Sequence, residues 1–325
     1  MTESLIHHGE IGFESKPIEV SVVIPVYRSQ GMIEELYERL SLALDQFCGS
    51  WEILFVEDAS PDDSWRALEK ISERDSRVHA IQLMRNYGQQ RAVLCGMAHS
   101  RGEFVVTMDD DLQHRPEEIQ LLVETLSASD DDVVIGRYRE KKHSFVRRLG
   151  TRFVKWLAKT TIGVPPSLSL TSFRAIRGDI ARAVSRLEHT NPVVGYLIFA
   201  ATHRVSNVDV HHDERRLGES NYTFLSLVDY LMVMVIDYSD WPLRAISGAG
   251  IGLSGVSFAL GIGYFAQFMT GAIAVSGFTT VVLLLTFLFG FVLTALGVIG
   301  SYLVRVLRRG GPDCTVLVRS QMNAG

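Results

Sequence analysis

The sequence predicts an α/β fold: a mostly parallel, Rossmann-like sheet flanked by helices, followed by a C-terminal transmembrane helical hairpin. Three observations predict it. Short β-branched runs alternate with stretches of helical periodicity, which argues for parallel strands joined by crossover helices. Several of those runs stop at acidic residues, as at the carboxyl edge of an open sheet, where ligands gather. Finally, no charged residue occurs between Arg244 and Arg305, a stretch long enough for two spans of about twenty residues each with a turn between them.

Residues 1–18 read as a polar tail without the charged and apolar regions of a signal peptide. The first strand is Val20–Val26, VSVVIPV, a run suited to burial on both faces, ended by Pro25 and Tyr27. Residues 32–47 place Ile33, Leu36, Leu40 and Leu44 on one helical face, and 51–56 form a second strand that ends in Glu57 and Asp58. A third strand, 79–83, leads to Arg85, Asn86, Tyr87 and Gly88, and a helix follows over Gln89–His99. The fourth strand, 104–108, runs into Asp109, Asp110 and Asp111, and a short fifth covers 132–136.

Three adjacent carboxylates repel one another unless a cation sits among them, and hard oxygen ligands of this kind suit Mg2+ or Mn2+. The same residues also fit an acidic helix start, with Pro116, Glu117 and Glu118 in its first turn. The pattern alone leaves both readings open. It lacks the glycine an EF-hand turn requires.

Composition narrows the function classes. With 325 residues and 47% hydrophobic content the chain has ample material for a core, and its net charge of -5 argues against a nucleic-acid binder. Cys48, Cys95 and Cys314 share no metal-ligand spacing, so free thiols in a reducing compartment are expected.

Residues 137–159 are strongly basic, with Arg137, Arg147, Arg148 and Arg152 interleaved with Phe145, Phe153 and Trp156. Such a helix can lie in a membrane interface or pack on the domain, and the hairpin downstream favours the interface. Residues 224–237 form a second apolar helix of this kind. Between them, Arg215, Arg216, Gly218 and Ser220 can close over a diphosphate or form a solvated turn. His211 and His212 are adjacent and would face opposite sides of a strand, so both are expected to be structural.

The expected spans are 246–269 and 278–304. Arg244 precedes the first and Arg305, Arg308 and Arg309 follow the second, which places both ends in the cytoplasm and the protein in the inner (plasma) membrane as a multi-pass protein. Glycines in the first span permit a homo-oligomer. The expected organisation is a tail at 1–18, a globular domain at 19–223, a juxtamembrane helix at 224–243, two spans within 244–305 and a tail at 306–325.

Taken together, VVIPVY (22–27), VEDASPDDS (56–64), RNYGQ (85–89), MDDDLQHRPEE (108–118), RRLGESNY (215–222) and Gly311-Pro312 resemble the GT-A glycosyltransferases of family 2. More narrowly, the chain is similar to the polyprenyl-phosphate glycosyltransferases with a membrane anchor. The resemblance implies a GT-A domain that transfers one sugar, with inversion, from a nucleotide sugar to a polyprenyl phosphate, giving a lipid-linked sugar for cell-envelope glycan modification. A UDP-linked donor is expected ahead of a GDP-linked one. By the same resemblance Pro25, Tyr27, Asp58 and Asp109 contact the nucleotide, and Asp109, Asp111 and Gln113 hold the metal. Asp109, Asp111 and Arg215 serve catalysis, and Arg137, Arg147 and Thr151 receive the acceptor phosphate. Arg28-Ser29, Glu57 and Asn221 depart from the usual pattern, and no Asp stands near Leu168 to act as a base. The competing reading is a non-catalytic nucleotide-sugar sensor, which the intact DDDLQ segment disfavours.

Overall fold

A computed structural model describes residues 17–138, 165, 168–187, 191–211 and 316–323, with isolated positions between 270 and 306. The strands are β1 (Val20–Val26), β2 (Trp51–Glu57), β3 (Val78–Leu83), β4 (Phe104–Thr107), β5 (Val133–Tyr138), β6 (Arg174–Arg177), β7 (Val205–Val210) and β8 (Val318–Met322). They form one eight-stranded sheet in the order β7-β5-β6-β4-β1-β2-β3-β8. β1, β2, β3 and β4 are mutually parallel, whereas β6 and β8 run antiparallel to their neighbours. The centre of the sheet is fully buried because β1 and β2 carry apolar side chains to both faces.

The helices are α1 (Ile33–Phe47), α2 (Ser64–Arg74), α3 (Gln89–His99), α4 (Ile119–Ser127), α5 (Gly178–Ser185) and α6 (Val194–Ala201). One face of the sheet packs Val22, Ile24 and Phe55 against Ile33, Leu36, Leu40 and Leu44 of α1, the residues whose spacing predicts that helix. The other packs Val23, Leu54 and Val105 against Met97 of α3 and Leu197 and Ile198 of α6. Gly96 lets α3 lie close to the sheet, since a Cβ there would fall 2.4 Å from Val23 Cγ1.

Two expectations are corrected here. Arg137, expected at the start of a basic helix, lies in strand β5. The rest of that helix, 139–159, and the helix at 224–237 lie outside the described residues. Second, no helix among the described residues is long and apolar enough to cross a membrane. This overturns the expected transmembrane hairpin and the multi-pass inner-membrane placement drawn from it. A charge-free stretch meets the hydropathy a span requires, but a span also needs an unbroken helix of about twenty residues, and the described residues hold none. Segments 246–269 and 278–304 themselves fall outside the described residues except at isolated positions.

Candidate active site

The loops that leave the carboxyl ends of β1, β2 and β4 meet at one edge of the sheet, and each carries a non-glycine residue in the left-handed region. Arg28, Ala59 and Leu112 have φ of 59°, 50° and 58°. Each such residue costs about 1–2 kcal/mol, and strain of this kind concentrates where a fold holds functional groups in place. Side chains tie the three loops together. Asp110 accepts the Tyr27 backbone N–H at 3.1 Å and the Ser29 hydroxyl, joining the acidic stretch to the end of β1. The Arg28 N–H donates to Ser60 Oγ at 3.0 Å, joining β1 to β2.

Asp58 is 3% exposed. Its two oxygens accept the backbone N–H groups of Tyr87 at 2.7 Å and Gly88 at 2.8 Å, so it fastens the loop after β3. Burial raises its pKa, and those two N–H groups oppose the rise. Tyr27 stands at the open edge with 42% exposure, and the Arg28 guanidinium lies over its ring. Pro25 lies within β1, in register with Val56.

Asp109 is held from both sides. Oδ1 accepts from Gln89 Nε2 at 2.5 Å and Oδ2 from Ser172 Oγ at 2.6 Å. The Asp109 N–H donates to His114 Nδ1 at 3.0 Å, so that nitrogen is an acceptor, and Nε2 carries the proton toward Tyr138 Oη at 2.5 Å. The His114 ring stacks on Phe173, with centroids 5.0 Å apart, while Tyr138, with its centroid at 6.0 Å, meets the Nε2 edge of the imidazole. Burial, with Asp109 nearby, pushes the Tyr138 phenol well above its ordinary range, so it stays neutral. Asp111 Oδ1 accepts the Gln113 backbone N–H at 3.2 Å. Burial pushes the carboxyl of Asp110 up to about 6, and the charges of Asp109 and Asp111 add to the rise.

Pro25, Tyr27, Asp58, Asp109, Asp111 and Gln113 therefore gather along one edge. Arg137 does not join them as a free cation: it pairs across the sheet with Asp209 of β7, Nη2 to Oδ1 at 2.7 Å. Arg147, Thr151 and Arg215 lie outside the described residues. His211 pairs with Glu118 at 2.6 Å. Gln89 and His114 lie within the RNYGQ and MDDDLQHRPEE segments and Ser172 within Thr171-Ser172-Phe173, which departs from the family's Gly-Phe turn, but none was given a role from the sequence. Tyr138 and Arg174 reach the site from strands distant in the chain, and no local motif marks them.

Among the described residues no group of three or more His, Cys, Asp or Glu forms a closed metal cage. The donor set at Asp109 and Asp111 still suits a hard cation. Mg2+ and Mn2+ take one or two carboxylates from the protein and complete their shell with water and substrate phosphate.

Residues 21–182 match the family described as "Glycosyl transferase family 2". The chain is 33% identical over 291 residues to an undecaprenyl-phosphate 4-deoxy-4-formamido-L-arabinose transferase of Edwardsiella ictaluri, covering 88% of this chain and 89% of that protein. A transferase of the same name from Shewanella sediminis is 32% identical, covering 88% and 87%. Among solved structures, glucosyl-3-phosphoglycerate synthase from Mycobacterium tuberculosis aligns with a TM-score of 0.49 and 17% identity, over 67% of this chain and 76% of that one. Identity above 30% along nearly the full length of named transferases sets aside the sensor reading, and the chain belongs to glycosyl transferase family 2 as an enzyme, a glycosyltransferase.

Proposed function

We propose that the enzyme transfers one sugar from a nucleotide sugar, a UDP sugar first among candidates, to a polyprenyl phosphate with inversion at the anomeric carbon. The observation that carries this reading is the convergence of Tyr27, Asp58, Asp109 and Asp111 on one sheet edge, where Asp110 ties the acidic loop to the end of β1 and Ser60 ties β1 to β2. The acceptor class is supported by relatives whose names specify undecaprenyl phosphate.

In this reading Tyr27 and the Asp58-fastened loop receive the nucleotide. Asp109 and Asp111, with Gln113, would hold Mg2+ or Mn2+. When bound, the cation supplies positive charge against the leaving diphosphate. Asp109 is kept in place by Gln89, Ser172 and the neutral His114, so little reorganisation is needed. An oxygen of the acceptor phosphate forms the new bond to the anomeric carbon as the bond to the diphosphate breaks. That phosphate is already an anion near neutral pH, so no side chain has to remove a proton. This accords with the absence of an acid near Leu168. Arg215 would face the diphosphate, and Arg147 and Thr151, with Arg137 once released from Asp209, would bind the acceptor.

The test is transfer of labelled sugar from a panel of UDP and GDP sugars to undecaprenyl phosphate with Mn2+. Formation of a lipid-linked sugar from one donor, abolished by chelator, is the expected result. Hydrolysis alone, or transfer only to non-phosphorylated acceptors, would contradict the acceptor assignment.

A further inference from the structure

β6 carries two arginines in different circumstances. Arg177 gives its guanidinium to main-chain carbonyls, with Nε on Asp131 at 2.9 Å and Nη2 on Ser129 at 3.0 Å. Arg174 is 6% exposed, and among the described residues its Nε and Nη1 have no hydrogen-bond partner. A buried donor left unpaired costs about 1–3 kcal/mol, and more when it is charged. An arginine that served only to hold the fold would be paired as Arg177 is.

Strand register places this guanidinium beside the site. Arg174 lies opposite Thr107 of β4 and Ile135 of β5, two residues beyond Ser172, whose hydroxyl donates to Asp109. Phe173 turns to His114 on one face of the sheet. Arg174 turns to the other, where a Cβ on Gly195 of α6 would lie 3.9 Å from its Nη1. Burial lowers the pKa of Arg174 to about 10, and the negative charge of Asp109 opposes that fall, so the side chain is charged at neutral pH.

We propose that Arg174 is a specificity-determining residue for the donor, whose unpartnered N–H groups take oxygen acceptors on the transferred sugar. This rests on the nucleotide-sugar reading above. Two features select a sugar oxygen over the acceptor phosphate. With Arg174 only 6% exposed, its donors suit single hydroxyl or carbonyl oxygens better than a phosphoryl group carrying a polyprenyl chain. Asp109 already offsets part of its charge, so what is lacking is hydrogen-bond acceptors and not a second anion. A site with buried donors to fill rejects a ligand without the matching oxygen far more strongly than an apolar pocket rejects a misfit.

Calorimetric titration with Mn2+ tests this on the full chain, comparing UDP and GDP with UDP-glucose, UDP-galactose, UDP-N-acetylglucosamine, UDP-xylose, UDP-glucuronate and GDP-mannose. For the nucleotide sugar that wild type binds more tightly than its parent diphosphate, Arg174→Met should lower affinity about tenfold or more. Its affinity for the parent UDP or GDP should stay within about twofold, the size of a surface substitution. Arg174→Lys should recover part of the loss. The Tm of Arg174→Met without ligand should not fall, because an unpaired buried cation is removed. Equal loss of diphosphate and sugar binding, or a lower Tm, would assign Arg174 to holding Asp109 and overturn the proposal. So would undiminished nucleotide-sugar binding. If wild type binds the diphosphates but no sugar more tightly, this inference fails while the nucleotide site stands, and if it binds none of them the donor reading fails as well.

Discussion

Two buried or partly buried carboxylates, Glu52 and Asp110, stand at opposite ends of the parallel strands and show how differently those ends are built. Glu52, at the amino end of β2, is 1% exposed and fully engaged. It accepts from Ser21 Oγ at 2.6 Å, the Arg101 N–H at 2.8 Å, Arg101 Nε at 2.9 Å and Nη2 at 2.7 Å, and His79 lies at 3.2 Å. Burial opposes ionisation there, but His79, Ser21 and Arg101 overcome it and hold the carboxyl down to about 2. Asp110, at the carboxyl end, accepts one hydroxyl and one N–H and has two like charges beside it. The amino end is electrostatically complete. The carboxyl end sets three carboxylates side by side, as a cation-dependent donor site requires.

The largest effect should come from breaking the complete end. Glu52→Gln should cost about 2 kcal/mol in denaturant unfolding, less than the about 3–5 of a fully enclosed pair, because the Arg101 side chain is 49% exposed and can turn to water. A loss below about 0.5 kcal/mol would mean the network is incidental.

The pH dependence should differ in sign between the two ends. The pKa of Glu52 is lower in the folded chain than its ordinary 4.5. Its stabilisation is therefore full above about 4.5 and lost as pH falls toward 2. The folded carboxyl of Asp110 is harder to ionise than the unfolded one, so its contribution declines as pH rises from about 4 to 6. Unfolding curves of Glu52→Gln should lack the acid-side loss that wild type shows, and a retained loss would place it elsewhere.

The amino end is also latched by the C-terminal strand. Asn323 Nδ2 donates to Ser72 O at 2.6 Å and Val78 O at 3.0 Å, and the Asn323 carbonyl meets His79 Nδ1 at 2.7 Å. Asn323→Ala should cost about 1 kcal/mol and speed hydrogen exchange along β3. Unchanged exchange would show that β8 is not a latch.

Asp110→Asn should have the smallest effect on stability, within about 1 kcal/mol in chelator, because it removes a charge that burial and two neighbouring carboxylates disfavour. A loss as large as that of Glu52→Gln would erase the contrast between the ends.

Most of this contrast could not be read in the chain. The apolar runs of β1, β2 and β4 and the acids that follow them are local, so the sheet centre and its acidic edge were legible. Glu52 sits within a strand whose apolar neighbours dominate the pattern, and its partners lie 31 and 49 residues away. The His114 stack depends on Tyr138 and Phe173, and Arg174 on a four-residue strand, β6, too short to show a period. VRSQM of β8 is polar, and its pairing with β3 spans more than two hundred residues. The charge-free stretch near the C-terminus was legible as composition, but composition does not establish a continuous helix.

The central claim is that the carboxyl end is a cation-dependent sugar-donor site. The direct measurement is the rate of sugar transfer by Asp111→Asn in saturating Mn2+, beside Glu52→Gln at a temperature where both are folded. Asp111→Asn should lose about a hundredfold or more, as when charge stabilisation of a leaving group is removed, with its Tm unchanged. Glu52→Gln should retain transfer within about threefold, since it alters stability far from the site. Near-normal transfer by Asp111→Asn, or turnover by wild type in excess chelator, would contradict that claim.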